Sequence, residues 1–154
     1  MKKKIFITGS TGLLGSNLLA KLNKKNIVKS CSYENESFLN KNNNLILKKI
    51  SNKNFFEELK KFRPNFIIHT AGITDVEKCE KNQQIAKKAN FTFTKKIADY
   101  CKAYNSKLIY ISSDHIFNDN ITYHSEIDLV SPVNFYAKTK VMSEKYIIKN
   151  VKNI

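Results

Sequence analysis

In the stretch NFYAKTKVMSEKY, residues 134–146, a tyrosine, Tyr136, stands four positions before a lysine, Lys140. On a helix, side chains at i and i+4 share a face, with Cβ atoms about 5–6 Å apart. A phenol and an ammonium at that spacing can act as a proton donor and the cation that tunes it. A phenol of ordinary pKa, about 10, is a poor acid or base near neutrality. A neighbouring positive charge favours the phenolate and brings the group towards the working range of a general acid. The same spacing also arises on any solvent-facing helix of a lysine-rich chain, so the pair alone leaves both readings open.

A second constellation lies at the other end of the chain. TGSTGLLG, residues 8–15, follows the apolar run KIFIT (4–8) and opens a stretch in which Leu14, Leu18 and Leu22 recur at i+4. Gly9, Gly12 and Gly15 each have a use in a strand–loop–helix that binds a pyrophosphate. The first allows the tight turn, the second a close approach of the phosphates, and the third close helix–strand packing. The helix N-terminus then offers free N–H groups and partial positive charge. Gly9, Thr11, Gly12, Leu13, Leu14 and Gly15 are the candidate contacts. A glycine turn serving packing alone is the plain alternative, and it does not account for the flanking strand and helix. No GxxxxGK[ST] motif is present, which excludes a P-loop NTPase.

The elements that would position these residues can be read from periodicity. Strands are expected at 4–8, 27–33, 45–50, 66–72 and 107–113, and a polar, Asn-rich loop over 34–44. Helices are expected from Leu14, over 55–62 until Arg63-Pro64 stops it, over 84–104, and from Phe135 to Lys149. In the 84–104 segment Ile85, Ala89, Phe93, Ile97 and Cys101 repeat at i+4. Alternating strands and helices imply βαβ units with right-handed crossovers. The expected fold is therefore α/β, a Rossmann-type doubly wound parallel sheet of five strands in order 3-2-1-4-5. It forms one domain over residues 1–154, with no separate substrate domain.

Bulk composition narrows the function classes. A chain of 154 residues with 42% hydrophobic content suits one globular domain. The net charge of +14 comes almost wholly from lysine, with Arg63 the single arginine. Bidentate nucleic-acid readout leans on arginine, and no basic-aromatic motif is present, so specific nucleic-acid binding is not expected. Cys31, Cys79 and Cys101 form no CxxC pair, and His69, His115 and His124 show no metal-ligand spacing, so no metal site is expected. MKKKIFI is broken at once by Thr8-Gly9-Ser10, and no run approaches the roughly 20 apolar residues of a membrane span. A cytoplasmic protein without a membrane partner is expected.

With the loop and the YxxxK pair together, the chain resembles the extended short-chain dehydrogenase/reductase superfamily. The blocks RPNFIIHTAGITDVEKCE, YISSDHIFND, YHSEIDLVSP and NFYAKTKVMSE resemble those of dTDP-4-dehydrorhamnose reductases and near relatives, in the family's order and along the whole chain. By that resemblance Tyr136 is the catalytic tyrosine and Lys140 its lysine. Ser113, after Ser112, falls at the catalytic Ser/Thr position, and Asn90 matches a supporting helix asparagine with a part in proton relay. Ser32, Ala71, Gly72, Tyr136 and Lys140 join the loop as cofactor contacts. Ser113 as a turn cap and Asn90 as a helix surface residue are the plain alternatives.

The resemblance implies a reductase of a 4-keto-deoxy nucleotide-sugar, with hydride from a nicotinamide and a proton from Tyr136. An epimerase or dehydratase of the same superfamily is an alternative, although Asp114 is not followed by the glutamate that dehydratases often carry. A non-catalytic NAD(P)-binding regulatory subunit, with a larger protein as partner, is another, as is a homo-oligomer. NAD-preferring sites often carry an acid at the end of strand two. Here Lys29-Ser30-Cys31-Ser32 stands there, with Glu34 slightly later, which favours NADP, with NAD as the second choice. The turn Ile50-Ser51-Asn52 lacks the aspartate that these relatives often place near the adenine. Relatives continue past the YxxxK helix into a substrate-binding region, so the chain is expected to lack that region, and strand five its next partner.

Overall fold

The computed structural model describes residues 2–35, 37, 39, 43–49, 51–117 and 123–152. The chain divides into two compact units. The first holds the residues up to Ala71, Tyr100–Ile111 and the residues from Val151; the second holds Gly72–Asp99 and Ser112–Asn150.

The first unit carries a five-stranded sheet of β1 (Lys4–Thr8), β2 (Ile27–Ser32), β3 (Asn44–Ile46), β4 (Phe66–His69) and β5 (Lys107–Tyr110). Its order is β3-β2-β1-β4-β5, with every neighbouring pair parallel, as expected. Side chains alternate between faces along a strand. Ile5 and Ile7 therefore share one face with Val28 and Ile68, where Leu19 of α1 (Leu13–Leu22) packs on them with Leu18 and Leu22. Phe6 points to the other face and meets Phe55 and Phe62 of α2 (Asn52–Phe62), at ring centroids of 5.8 and 6.4 Å. Helices thus cover both faces of the sheet, which explains why the central strands read as continuous apolar runs. Ser51 caps α2 by accepting from the Asn54 N–H at 3.2 Å, and Arg63 ends it in the left-handed region at φ 50° before Pro64.

The strands are shorter than their sequence pattern suggests. β3 gives way to a 3₁₀ turn at Leu47–Lys49, and the Ile50 expected at its end lies outside the described residues, as does part of the expected 34–44 loop. β4 ends at His69, not at residue 72. Beyond it the chain is tied by side chains: Thr70 Oγ1 donates to the Thr8 carbonyl at 2.6 Å and the Ala71 N–H to Thr8 Oγ1 at 3.2 Å. β5 ends at Tyr110, so Ser113 does not sit on a strand.

In the second unit the single helix expected over 84–104 is several segments. They follow the short α3 (Val76–Lys81) and are α4 (Gln83–Ala86), a π-helical stretch (Lys87–Thr92) and α5 (Phe93–Tyr104), of which residues to Asp99 belong to this unit. The wider π turns shift the inward line of side chains. Ala86, Asn90 and Thr94 are buried while Ile85 is 59% exposed, so the apolar series read from sequence misses the buried face at its start and rejoins it at Ile97 and Cys101, both buried. A 3₁₀ turn (Asp114–Ile116) and α6 (Phe135–Asn150) complete this unit.

Candidate nucleotide loop and tyrosine–lysine cluster

In the first unit the loop after β1 is shaped by its glycines. Gly9 adopts φ +72°, and a Cβ on it would stand 2.9 Å from the Ala71 backbone. A Cβ on Gly15 would lie 2.1 Å from the Gly9 carbonyl oxygen, so the helix passes the loop at a distance only glycine allows. Gly12 differs. It donates to the Gly9 carbonyl at 3.0 Å and has an ordinary φ of −76°, and a Cβ there would meet only that oxygen, at 3.4 Å. Internal packing therefore accounts for Gly9 and Gly15, whereas Gly12 keeps a space that the protein does not fill.

Gly12 also begins α1 without a capping side chain, and no acid lies in the first turn. That leaves the helix terminus open to water or to an anion. Thr11 and Leu13 are exposed beside it, Leu13 at 88%. This arrangement fits the pyrophosphate of a dinucleotide.

Beneath the loop lies a buried polar network that the sequence did not reveal. Ser10 Oγ and Ser30 Oγ each lie 2.8 Å from Asn44 Oδ1, and Asn44 Nδ2 donates to Ser32 Oγ at 2.9 Å. Ser32 Oγ in turn donates to the Asn35 carbonyl. Ser30 and Ser32 are both buried. Lys29 turns to α2, 3.9 Å from Glu58 and above the Phe62 ring. The side chains expected to favour a 2′-phosphate are thus engaged inside the unit. Asn44 carried no signal, because it stands in the asparagine run KNNN.

In the second unit Tyr136 and Lys140 lie one turn apart on α6, and both are buried, at 7% and 8% exposure. Tyr136 packs with Cys79 and Ala86, against Ile73, Val76 and Phe135, and Lys140 Nζ lies 5.9 Å from its ring centroid. Burial pushes the Lys140 ammonium down to about 8, partly offset by the Glu144 carboxylate. Cys79 is held in the thiol form by burial and the carboxylates of Asp75 and Glu80.

Asn90 is a buried clamp, with no surface role. Its Oδ1 accepts from the Ile73 N–H at 2.7 Å, and its Nδ2 donates to the Ile73 carbonyl at 3.0 Å and to Thr139 Oγ1 at 3.1 Å. Thr139 donates onward to the Tyr136 carbonyl at 2.6 Å. The Asn90 carbonyl accepts from Thr94 at 2.5 Å and Ser143 at 3.1 Å, two hydroxyls that accompany the π-helical turn. A Cβ on Gly72 would approach Asn90 Oδ1 at 3.1 Å.

Ser113 caps the 3₁₀ turn, accepting from the His115 N–H at 3.3 Å and donating to Asp114 Oδ1 at 3.2 Å. That turn sets His115 edge-on to Tyr136, at 5.9 Å between ring centroids. The preceding Ser112 Oγ is buried without a hydrogen-bond partner among the described residues. His115 was missed as a site residue, although it lies within YISSDHIF. Among the described residues no three His, Cys, Asp or Glu side chains form a metal-binding group, and no helix is long and apolar enough to cross a membrane.

A family model described as RmlD substrate binding domain matches residues 2–154. The chain belongs to this family. Methionine adenosyltransferase 2 subunit beta of Rattus norvegicus is 28% identical over 149 residues, covering 96% of this chain and 43% of that protein. The dTDP-4-dehydrorhamnose reductase of Escherichia coli is 34% identical over 91 residues, covering 58% of this chain and 30% of that protein. A crystal structure of a hypothetical dTDP-4-dehydrorhamnose reductase from Sulfolobus tokodaii superposes with a TM-score of 0.80 at 28% identity, covering 95% of this chain and 51% of that one. This RmlD-family chain spans about half the length, or less, of the relatives it matches.

Proposed function

We propose that the chain binds a nicotinamide dinucleotide at its glycine loop and reduces the carbonyl of a 4-keto-deoxy nucleotide-sugar. The observation that carries the reading is the burial of Tyr136 and Lys140 together on one turn of α6. A solvent-facing pair would need no such burial. A nicotinamide held at the glycine loop would supply the hydride for this reduction. Tyr136 gives its phenolic proton to the carbonyl oxygen, and Ser113 donates a hydrogen bond to that oxygen as charge develops on it. Lys140, with its pKa brought to about 8, remains mostly protonated at neutral pH and places a cation one turn of α6 from Tyr136. Asn90 positions the chain at Ile73 and, through Thr139, the turn of α6 that carries Tyr136.

The test is titration with NADPH and NADH, followed by turnover with a 4-keto nucleotide-sugar. Tyr136→Phe is expected to preserve folding and cofactor affinity while lowering turnover by about 10²–10⁴. Unchanged turnover in that variant would remove Tyr136 from the chemistry.

A second reading is favoured by the match to an adenosyltransferase beta subunit, which runs over 96% of this chain. On it, the chain is a dinucleotide-binding subunit that serves a larger protein. Dinucleotide binding without turnover, together with co-purification of one larger partner in fixed stoichiometry, would support this reading over the first.

A further inference from the structure

We propose that a cleft at the amino ends of the strands in the first unit binds a nucleoside monophosphate. It is separate from the glycine loop, which follows the carboxyl end of β1, and it does not depend on the dinucleotide reading. Lys3 stands just before β1, Phe66 opens β4 and Lys107 opens β5; with Arg63 and Tyr104 they line a space of about 510 Å³. Small-molecule sites commonly run from about 300 to 1,000 Å³. The backbone laces the walls together. The Asn65 N–H donates to the Lys4 carbonyl at 2.8 Å, the Lys107 N–H to the Asn65 carbonyl at 2.9 Å, and Ser106 Oγ to the Pro64 carbonyl at 2.7 Å. The cleft is therefore set by the fold before any ligand arrives.

Its charge calls for an anion. Lys3, Arg63 and Lys107 are exposed, and among the described residues none of them pairs with a carboxylate. The described carboxylates of this unit are engaged elsewhere: Glu34 with Lys48, Glu57 with Lys60, and Glu58 with Lys61 and Lys29. Cations can also serve to offset a helix dipole, and α2 and α5 both end at this edge. That role is already filled, since Lys60 and Lys61 lie in the last turn of α2 and Lys102 in that of α5. Arg63 moreover stands where the backbone disfavours it. It closes α2 at φ 50°, in a region that glycine or asparagine occupies at less cost, as Asn105 does after α5 at φ 54°. The single arginine of the chain is thus kept at a strained position in the cleft wall.

Two features narrow the class of anion. A guanidinium with two ammonium groups in one cleft suits a phosphate monoester, which carries about −1.5 to −2 charges at pH 7 and accepts bidentate donation. Tyr104 supplies a flat partner. Its ring stacks on Tyr100 at 4.6 Å between centroids and 25° between planes, and the residue remains 46% exposed. A ring supported by a neighbour and still open to solvent can take a base by stacking. A phosphate beside a planar ring is the chemistry of a mononucleotide.

Calorimetric titration with GMP, guanosine and inorganic phosphate tests this, because guanine is foreign to a nicotinamide adenine dinucleotide site. GMP should bind the parent chain with a dissociation constant below about 1 mM, and guanosine and phosphate each at least about tenfold more weakly. Arg63→Gly and Tyr104→Leu should each weaken GMP about tenfold, while Lys96→Gln, at an exposed lysine of the second unit, should leave it unchanged. Arg63→Gly should unfold at a temperature no lower than the parent, since glycine relieves the left-handed backbone. A lower unfolding temperature would assign the arginine to the fold and overturn its role towards a ligand. Equal loss in Lys96→Gln would mean that general positive charge attracts GMP, and phosphate binding as tightly as GMP would mean that no ring is recognised; either overturns the proposal. So does a GMP affinity that falls in Gly12→Ala and holds in Arg63→Gly, which would put the nucleotide at the glycine loop. A parent chain that binds NADH but not GMP removes the cleft site and leaves the glycine-loop reading standing.

Discussion

Lys140 combines burial with charge, and that combination sets a measurable pH dependence. Its pKa falls from 10.5 to about 8 because burial penalises the ammonium. Below about pH 8 the folded and unfolded chains both carry the proton, and folding bears the full cost of burying it. Between about 8 and 10.5 the unfolded chain holds a proton that the folded chain has released, so this residue's contribution to stability rises with pH. Lys140→Met should therefore be more stable than the parent at pH 7, on the order of 1–3 kcal/mol, with the difference shrinking towards pH 10.5. Urea unfolding at the two pH values measures this. A Met variant less stable than the parent at pH 7 would mean that local bonds outweigh the cost of burial. Dinucleotide affinity should change the other way, falling in the variant and, in the parent, falling as pH rises through about 8. The Tyr136–Lys140 spacing was visible in the sequence but left two readings open, and only the glycine loop and the family resemblance gave it weight. The burial of the pair was not visible, because α6 buries Thr139, Lys140 and Ser143 along with its apolar residues, and no apolar stripe marks that face.

At the level of elements, the two outer glycines and the middle one of the loop should respond differently to a methyl group. Gly15→Ala places a Cβ 2.1 Å from the Gly9 carbonyl oxygen and should destabilise the fold by about 3 kcal/mol, through displacement of α1 from β1. Gly12→Ala meets only an ordinary contact, so folding should lose less than about 1 kcal/mol. Dinucleotide affinity should nevertheless fall at least tenfold if phosphates occupy that space. Thermal unfolding and NADH titration on the same two variants separate the effects, and full affinity in Gly12→Ala would show that no ligand approaches there. The strand–loop–helix around these glycines was readable because local pattern and tertiary role agree. The π-helical stretch was not. Ile85, Ala89 and Phe93 carry a regular helical period, while the inward residues Asn90 and Thr94 are held by bonds to Ile73, Thr139 and the Asn90 carbonyl. Those partners lie as many as 49 positions away in sequence, beyond the reach of any local period. The early end of β5 has a similar origin, since the Ser113 cap directs the chain into a turn where its residue types still suit a strand.

For the whole molecule, the net charge of +14 is an unsafe guide to a partner. Many lysines sit at i,i+3 or i,i+4 from an acid on exposed helix faces, as in Lys60–Glu57, Lys61–Glu58, Lys78–Asp75, Lys81–Glu77 and Lys95–Asp99. Such pairs add about 0.2–0.5 kcal/mol each and keep those helix faces solvated. The same charge bears on association. β5 stands at the end of the sheet order, and Ile109, on the face that buries Ile68 one strand inward, is 44% exposed. A terminal strand with an exposed apolar side chain is a template for pairing with another chain, and lysines are a common means of blunting it. Lys107 is the lysine at hand, two residues before Ile109 and thus on the same face. One positive charge per copy is screened beyond about 8 Å at physiological ionic strength, so its repulsion should fade as salt is added. Sedimentation velocity should therefore find monomers at low salt and concentration-dependent association in moderate salt. Ile109→Lys should suppress that association at a stability cost within about 0.5 kcal/mol, as expected for a surface position. A parent chain that stays monomeric across the salt series would show that the β5 edge is already protected.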